Sequence, residues 1–188
     1  MCTYIAIINS IVIGSSVLQS RFKYSEVEAG FYFTMPYVIA AVFSPLLGWF
    51  VDKYGQRMTV TLIGSLLMIS GHTYNLLMPD CDRCWASIGP LILLGLSYTT
   101  YAVVLWGALP YMVEARALGT AFGIATTFQN LGTVIAPPII GFIHQKTPVD
   151  EEQGYEIVNL FFIGVSILAF LFNLGVYCYD LRNRNNIL

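Results

Sequence analysis

Long apolar stretches alternate with short charged breaks six times along this 188-residue chain. A helix that spans a bilayer takes roughly 20 residues, so the length suits six spans joined by short loops. The apolar stretches cover residues 4–18, 30–50, 58–78, 88–109, 119–143 and 157–179, and residues 180–188 form a polar tail. Hydrophobic residues make up 56% of the chain and charged residues only 11%, against roughly 25% charged in soluble domains. A soluble enzyme, a disordered segment and a nucleic-acid binder are thereby excluded. The nine Lys and Arg nearly balance the eleven Asp and Glu, so no strong field calls for nucleic acid or another polyanion. The partner that the composition demands is the lipid bilayer. The chain reads as an all-α integral membrane protein, one six-helix bundle over residues 1–188.

Pro36 and Pro45 fall inside the second apolar stretch. Membrane bundles tolerate such prolines because neighbouring groups satisfy the freed carbonyls. An even number of spans puts both termini on one side. That side carries Lys53, Arg57, Arg116, Arg182 and Arg184; the other carries Arg21, Lys23, Arg83 and Lys146. Lys and Arg favour the cytosol, so the termini and the tail are expected there. Cys81 and Cys84 form a C-x-x-C in a polar loop. Zinc would need two further ligands, so the pair reads as free thiols or a local disulfide.

The break after the second span reads Gly48-Trp49-Phe50-Val51-Asp52-Lys53-Tyr54-Gly55-Gln56-Arg57, a G-x-x-x-D-K-x-G-x-R pattern. Each type has a physical use. Gly48 permits close helix approach. The Asp52 carboxylate suits the N-terminal amides of a neighbouring helix. Gly55 allows the positive φ of a tight turn. Lys53 and Arg57 mark the membrane boundary by charge. This pattern resembles the loop signature of the major facilitator superfamily, which follows the second span of each six-helix half.

A second segment supports the resemblance. Glu114-Ala115-Arg116-Ala117-Leu118-Gly119-Thr120-Ala121 runs into Phe128-Gln129-Asn130-Leu131-Gly132 and Pro137-Pro138, and is similar to the penultimate helix of the superfamily's carboxy-terminal half. With Gly95-Leu96-Ser97-Tyr98 and Trp106, it resembles a branch of lysosomal dipeptide carriers. The resemblance implies that the six spans correspond to helices seven to twelve of a twelve-helix carrier. It also implies an amino-terminal half outside this sequence, or a second copy in its place. Two halves would then rock about a central site. Spans one, two, four and five would line the cavity, with three and six largely toward lipid. A lysosomal membrane location, a small solute of the dipeptide class and an accessory membrane glycoprotein are further implications.

Ionisable groups are costly inside a bilayer. The middles of spans one, two, four and five contain none, which points to uniport or to coupling residues in the other half. Neutral polar groups do cluster there. Tyr98 and Tyr101, three residues apart, are expected to share a face of the fourth span. Thr126, Gln129 and Thr133 share a face of the fifth, beside Asn130. Asn9 and Ser10 lie midway along the first, and Tyr32 and Tyr37 lie in the second. Such hydroxyls and amides suit a peptide's amide and termini. Gln129, Asn130, Tyr98, Tyr101, Thr126 and Asn9 are therefore the candidate substrate contacts; the competing use is hydrogen bonding between helices. Trp106 reads as an anchor or gate residue, and His72 as a packing histidine. Gly119 and Gly123 read as a close-packing G-x-x-x-G. Gly48, Asp52, Lys53, Gly55, Arg57, Glu114 and Arg116 are the candidate gating set, in which Glu114 and Arg116 join Asp52 and Arg57 in one ion network. The sequence holds no nucleophile elbow, P-loop or metal quartet, so no enzyme, cofactor or metal site is expected. The alternative to a carrier half is a non-transporting membrane subunit derived from one.

Overall fold

The computed structural model describes residues 2–146 and 151–183. Six helices follow one another: α1 (Cys2–Ser20), α2 (Glu26–Tyr54), α3 (Arg57–Leu77), α4 (Ile88–Met112), α5 (Leu118–Lys146) and α6 (Glu151–Asn183). Short 3₁₀ turns precede α4 and α5. Among the described residues there is no strand. Because the helices alternate in direction, the start of α1 and the end of α6 share one face, here the terminal face. Lys146 and Arg184, part of the charge comparison, lie at and beyond the edge of the described residues.

Local chemistry sets the helix ends. Ser25 and Glu28 form a capping box at the start of α2: the Ser25 N–H donates to Glu28 at 2.9 Å and the Glu28 N–H to the Ser25 hydroxyl at 3.4 Å. Two of the amides left open at a helix start are thereby satisfied. Glycine at Gly55, with φ of +80°, ends α2 and turns the chain into α3. Pro36 and Pro45 sit within α2 without ending it.

Among the described residues, five helical segments are long and apolar enough to cross a membrane: Cys2–Ser20, Glu26–Tyr54, Arg57–Leu77, Trp85–Met112 and Tyr155–Arg182. α5 is long enough at 29 residues. Its Gln129, Asn130, several threonines and Pro137-Pro138 interrupt its apolar run.

α4 is the hub. It packs against α2 and α3, α3 packs on α6, and α1 touches α2, α5 and α6. α2 and α4 approach closely at Gly95, where a Cβ would stand 2.9 Å from the Pro36 Cα. Gly48 does not play that part: a Cβ there would meet only Val103 Cγ1, at 3.9 Å. The crossing lies at Pro36, about 18 Å farther along α2 at ~1.5 Å per residue. Gly119 and Gly123 likewise have nothing near them, so their small-residue pair does not pack within this bundle.

The core runs through Ala6, Ile7 and Ile11 of α1, Met68 of α3, Leu94 and Tyr101 of α4, Ala136 and Ile140 of α5, and Phe162 of α6. Hydrogen bonds inside the bundle add to it. The Ser97 hydroxyl of α4 donates to the Gly64 carbonyl of α3 at 2.8 Å. His72 of α3 is 1% exposed, so it does not face lipid. Its Nδ1 lies 3.3 Å from Asn159 Oδ1 of α6, the Asn159 amide donates to the His72 carbonyl at 2.9 Å, and its ring stacks on Phe162. α2, α5 and α6 present exposed apolar faces, with Phe43, Leu46 and Trp49 on the first, Ile124, Phe128 and Val134 on the second and Leu160, Leu171 and Phe172 on the third.

Candidate functional site: an aromatic and amide wall with a charged turn

Tyr98 and Tyr101 part company in the bundle. A step of three residues rotates a helix by about 300°, so the two rings sit some 60° apart, and α4 has neighbours on both sides. Tyr98 turns toward α2 and meets Tyr37 edge-on, with ring centroids 5.9 Å apart. Tyr37 meets Phe33 one turn earlier at 6.2 Å. Tyr4 of α1 lies beside Tyr98 and Trp106. Trp106 in turn stacks on Phe122 of α5, 5.7 Å away and nearly parallel. The result is an aromatic wall contributed by α1, α2, α4 and α5.

Tyr101 belongs elsewhere. It is 6% exposed. Its hydroxyl lies 2.5 Å from the Ser65 hydroxyl of α3 and accepts from the Asn173 amide of α6 at 2.8 Å. Asn173 also donates to Ser65 at 2.9 Å. This polar knot fastens α3, α4 and α6 together. The expected shared face with Tyr98 is not formed, because the hydroxyl finds buried partners on the far side of α4.

Asn9 is also withdrawn from open space. It is 4% exposed, and its amide donates to the Ile5 carbonyl at 3.0 Å within α1. Tyr32 packs on Tyr24 near the opposite face, with centroids 5.1 Å apart, and does not join Tyr37.

The α5 residues lie on a largely open flank. Thr126 and Asn130 are exposed and Gln129 is half-buried. The Thr126 and Thr133 hydroxyls donate to the carbonyls of Phe122 and Asn130, each at 2.8 Å, which leaves their oxygens free to accept. Gln129 Oε1 is buried and has no hydrogen-bond partner among the described residues. A buried acceptor in that state costs about 1–3 kcal/mol, a cost that an N–H or O–H donor reaching it would relieve.

The charged turn on the terminal face is ordered by its own side chains. Arg57 donates to Asp52 at 3.2 Å, and its guanidinium lies 4.4 Å from the centre of the Tyr111 ring of α4. Asp52 thus accepts from the Arg57 side chain; helix-start amides were the expected donors. The Lys53 ammonium lies over Trp49 at 4.8 Å and over Tyr54 at 5.3 Å, which seats the charge at an aromatic boundary. Glu114 and Arg116 pair with each other at 2.7 Å, both exposed. Among the described residues no ion pair joins them to Asp52 or Arg57, so the single expected network is two separate pairs. On the opposite face, Cys81 and Cys84 are joined in a disulfide.

Sequence reasoning missed Tyr4, Phe33 and the stacking of Trp106 on Phe122. The signal available was weak: an aromatic residue near one end of a span reads as an interface anchor.

The family model of the Major Facilitator Superfamily matches residues 1–186. The chain belongs to the major facilitator superfamily. Its fold is accordingly one half of the superfamily's architecture, in a multi-pass membrane protein. The lysosomal dipeptide transporter MFSD1 of Mus musculus is 30% identical over 184 residues, covering 98% of this chain and 37% of that protein. The transporters of the same name from Homo sapiens and Danio rerio are each 29% identical, covering 100% and 94% of this chain and 38% and 36% of theirs. The chain therefore spans less than two-fifths of the length of the curated relatives it matches.

Proposed function

We propose that this chain is the carboxy-terminal half of a secondary carrier for a small organic solute of the dipeptide class. It works by alternating access in a lysosomal membrane, with its termini in the cytosol. The relatives named as lysosomal dipeptide transporters support the solute class and the organelle. The observation that carries the site is the buried, unpartnered Gln129 Oε1 on a helix stacked against the aromatic wall. An amide acceptor on α5, two turns along from the Phe122 ring that stacks on Trp106, suits the N–H groups of a peptide. The assigned contacts are Gln129, Asn130, Thr126 and Tyr98, with Tyr37 and Tyr4 beside them. Tyr101 holds α3, α4 and α6 together, Asn9 is bonded within its own helix, and neither contacts solute.

The residues assigned to this wall are all neutral, so proton coupling has no seat in them, and uniport follows unless the amino-terminal half supplies the ionisable group. The Asp52–Arg57 turn, with Gly55 and Lys53, serves as the cytosolic latch that forms and parts as the halves rock. The partners are the bilayer, the other half or a second copy, and an accessory membrane glycoprotein. The test is uptake of labelled dipeptide by the complete carrier in proteoliposomes. Gln129→Leu should raise KM with little change in protein yield; unchanged KM would remove Gln129 from the site.

A further inference from the structure

The two loops that open on the face opposite the termini are tied into one unit. Arg21 is 6% exposed. Its guanidinium donates to Asp80 at 2.7 Å and to the carbonyls of Asn75 and Met78 at 3.0 and 2.9 Å. The Arg83 N–H donates to the Phe22 carbonyl at 2.9 Å. The Tyr24 hydroxyl donates to the Cys84 carbonyl at 3.1 Å and meets the Ser87 hydroxyl at 3.2 Å. Lys23 pairs with Asp82 at 3.1 Å, and Arg83 with Glu28 at 3.7 Å. Beneath these contacts lies a small apolar cluster of Leu18, Phe22, Tyr24, Ala29, Met78 and Leu91, and both Cys81 and Cys84 pack against it. Arg83, inside the C-x-x-C ring, has φ of +49°. For a non-glycine residue that conformation persists only when its surroundings hold it, and the ring closed by the disulfide does so.

We propose that the Cys81–Cys84 disulfide is a redox-sensitive clasp that fastens the α3–α4 loop onto the α1–α2 loop, and that this face looks into an oxidising compartment. The disulfide is the independent observation for sidedness, since such bonds persist outside the reducing cytosol. Opening the clasp is a thiol–disulfide exchange. The thiolate of a dithiol reductant attacks one cysteine sulfur, the S–S bond breaks, and the other cysteine leaves as a thiolate. The reductant's second thiol then displaces the first cysteine. Two cysteine thiols and one cyclic oxidised reductant result, a two-electron transfer. With the ring open, Arg83 is freed to leave its positive φ, and the Phe22 contact loosens with it.

Two measurements on the full chain test this. In sealed microsomes with the cytosolic face outward, a membrane-impermeant maleimide should label Cys81 and Cys84 only after reduction and permeabilisation together. In hydrogen exchange, the Arg83 amide should exchange on the order of tenfold faster after reduction, from the loop-closure entropy of a short ring, while α4 amides around Thr99 keep their rates. The C81S/C84S variant should match reduced wild type and ignore reductant. If that variant does not fold, reduction of the wild-type chain gives the same readout. Labelling without reductant, labelling from the cytosolic side, or an unchanged Arg83 rate after verified reduction would each overturn the proposal. None of these readouts depends on solute transport, so the clasp and the carrier reading stand or fall separately.

Discussion

Removing one hydroxyl distinguishes a structural tyrosine from a solute-binding one on the same helix. Tyr101→Phe deletes the oxygen that meets Ser65 at 2.5 Å and Asn173 at 2.8 Å. Hydrogen bonds between membrane helices average about 0.6 kcal/mol and reach about 1.7, so two of them contribute roughly 1–3 kcal/mol. Ser65 and Asn173 remain bonded to each other at 2.9 Å, so neither is orphaned. The loss should fall in the lower part of that range, about 1–2 kcal/mol. For a domain of this size, about 2–4 °C accompanies each kcal/mol, which gives a fall of roughly 2–8 °C in unfolding midpoint. The assay is thermal unfolding in detergent by intrinsic fluorescence, run beside dipeptide uptake by the complete carrier. Tyr101→Phe should lower the midpoint and leave KM alone; Tyr98→Phe should raise KM and leave the midpoint alone. A Tyr101→Phe carrier with an unshifted midpoint and a raised KM would refute the assignment, because it would put that hydroxyl in the cavity.

Four further outcomes follow from the geometry. Gly95→Ala forces a Cβ to within 2.9 Å of the Pro36 backbone and should cost about 1–3 kcal/mol of stability, seen as a lower unfolding midpoint. Gly48→Ala, with its nearest neighbour at 3.9 Å, should leave the midpoint unchanged. Gln129→Leu removes one acceptor worth about 0.5–1.5 kcal/mol, so KM for dipeptide should rise about two- to tenfold in uptake assays. Asp52→Ala removes the exposed acceptor of the buried Arg57 guanidinium, should lower stability by about 1–3 kcal/mol, and should slow the maximal transport rate.

The helices and their order are legible in the sequence because hydropathy acts within each helix. The G-x-x-x-D-K-x-G-x-R turn is legible for the same reason: Gly55 has the positive φ that its place demands, and Arg57 reaches Asp52 within one loop. Contacts between helices are not legible in that way. Asn173 meets Ser65 across 108 positions and Asn159 meets His72 across 87. No local spacing announces either pair. Tyr98 and Tyr101 look alike by periodicity, and they separate only because α3 and α6 offer Tyr101 buried partners. Gly48 and Gly95 are equally plausible crossing points until the position of Pro36 against α4 is known. The polar groups of α5 give the clearest case: their spacing marks a shared face, while the open acceptor on Gln129 depends on the packing around it.

The most direct test of the central claim is uptake of labelled dipeptide by proteoliposomes carrying the complete carrier that contains this half. Saturable, time-dependent accumulation that reaches but does not exceed the external concentration is expected, with KM raised by Gln129→Leu and by Tyr98→Phe. No uptake above protein-free vesicles, from protein whose unfolding midpoint shows it to be folded, would contradict it.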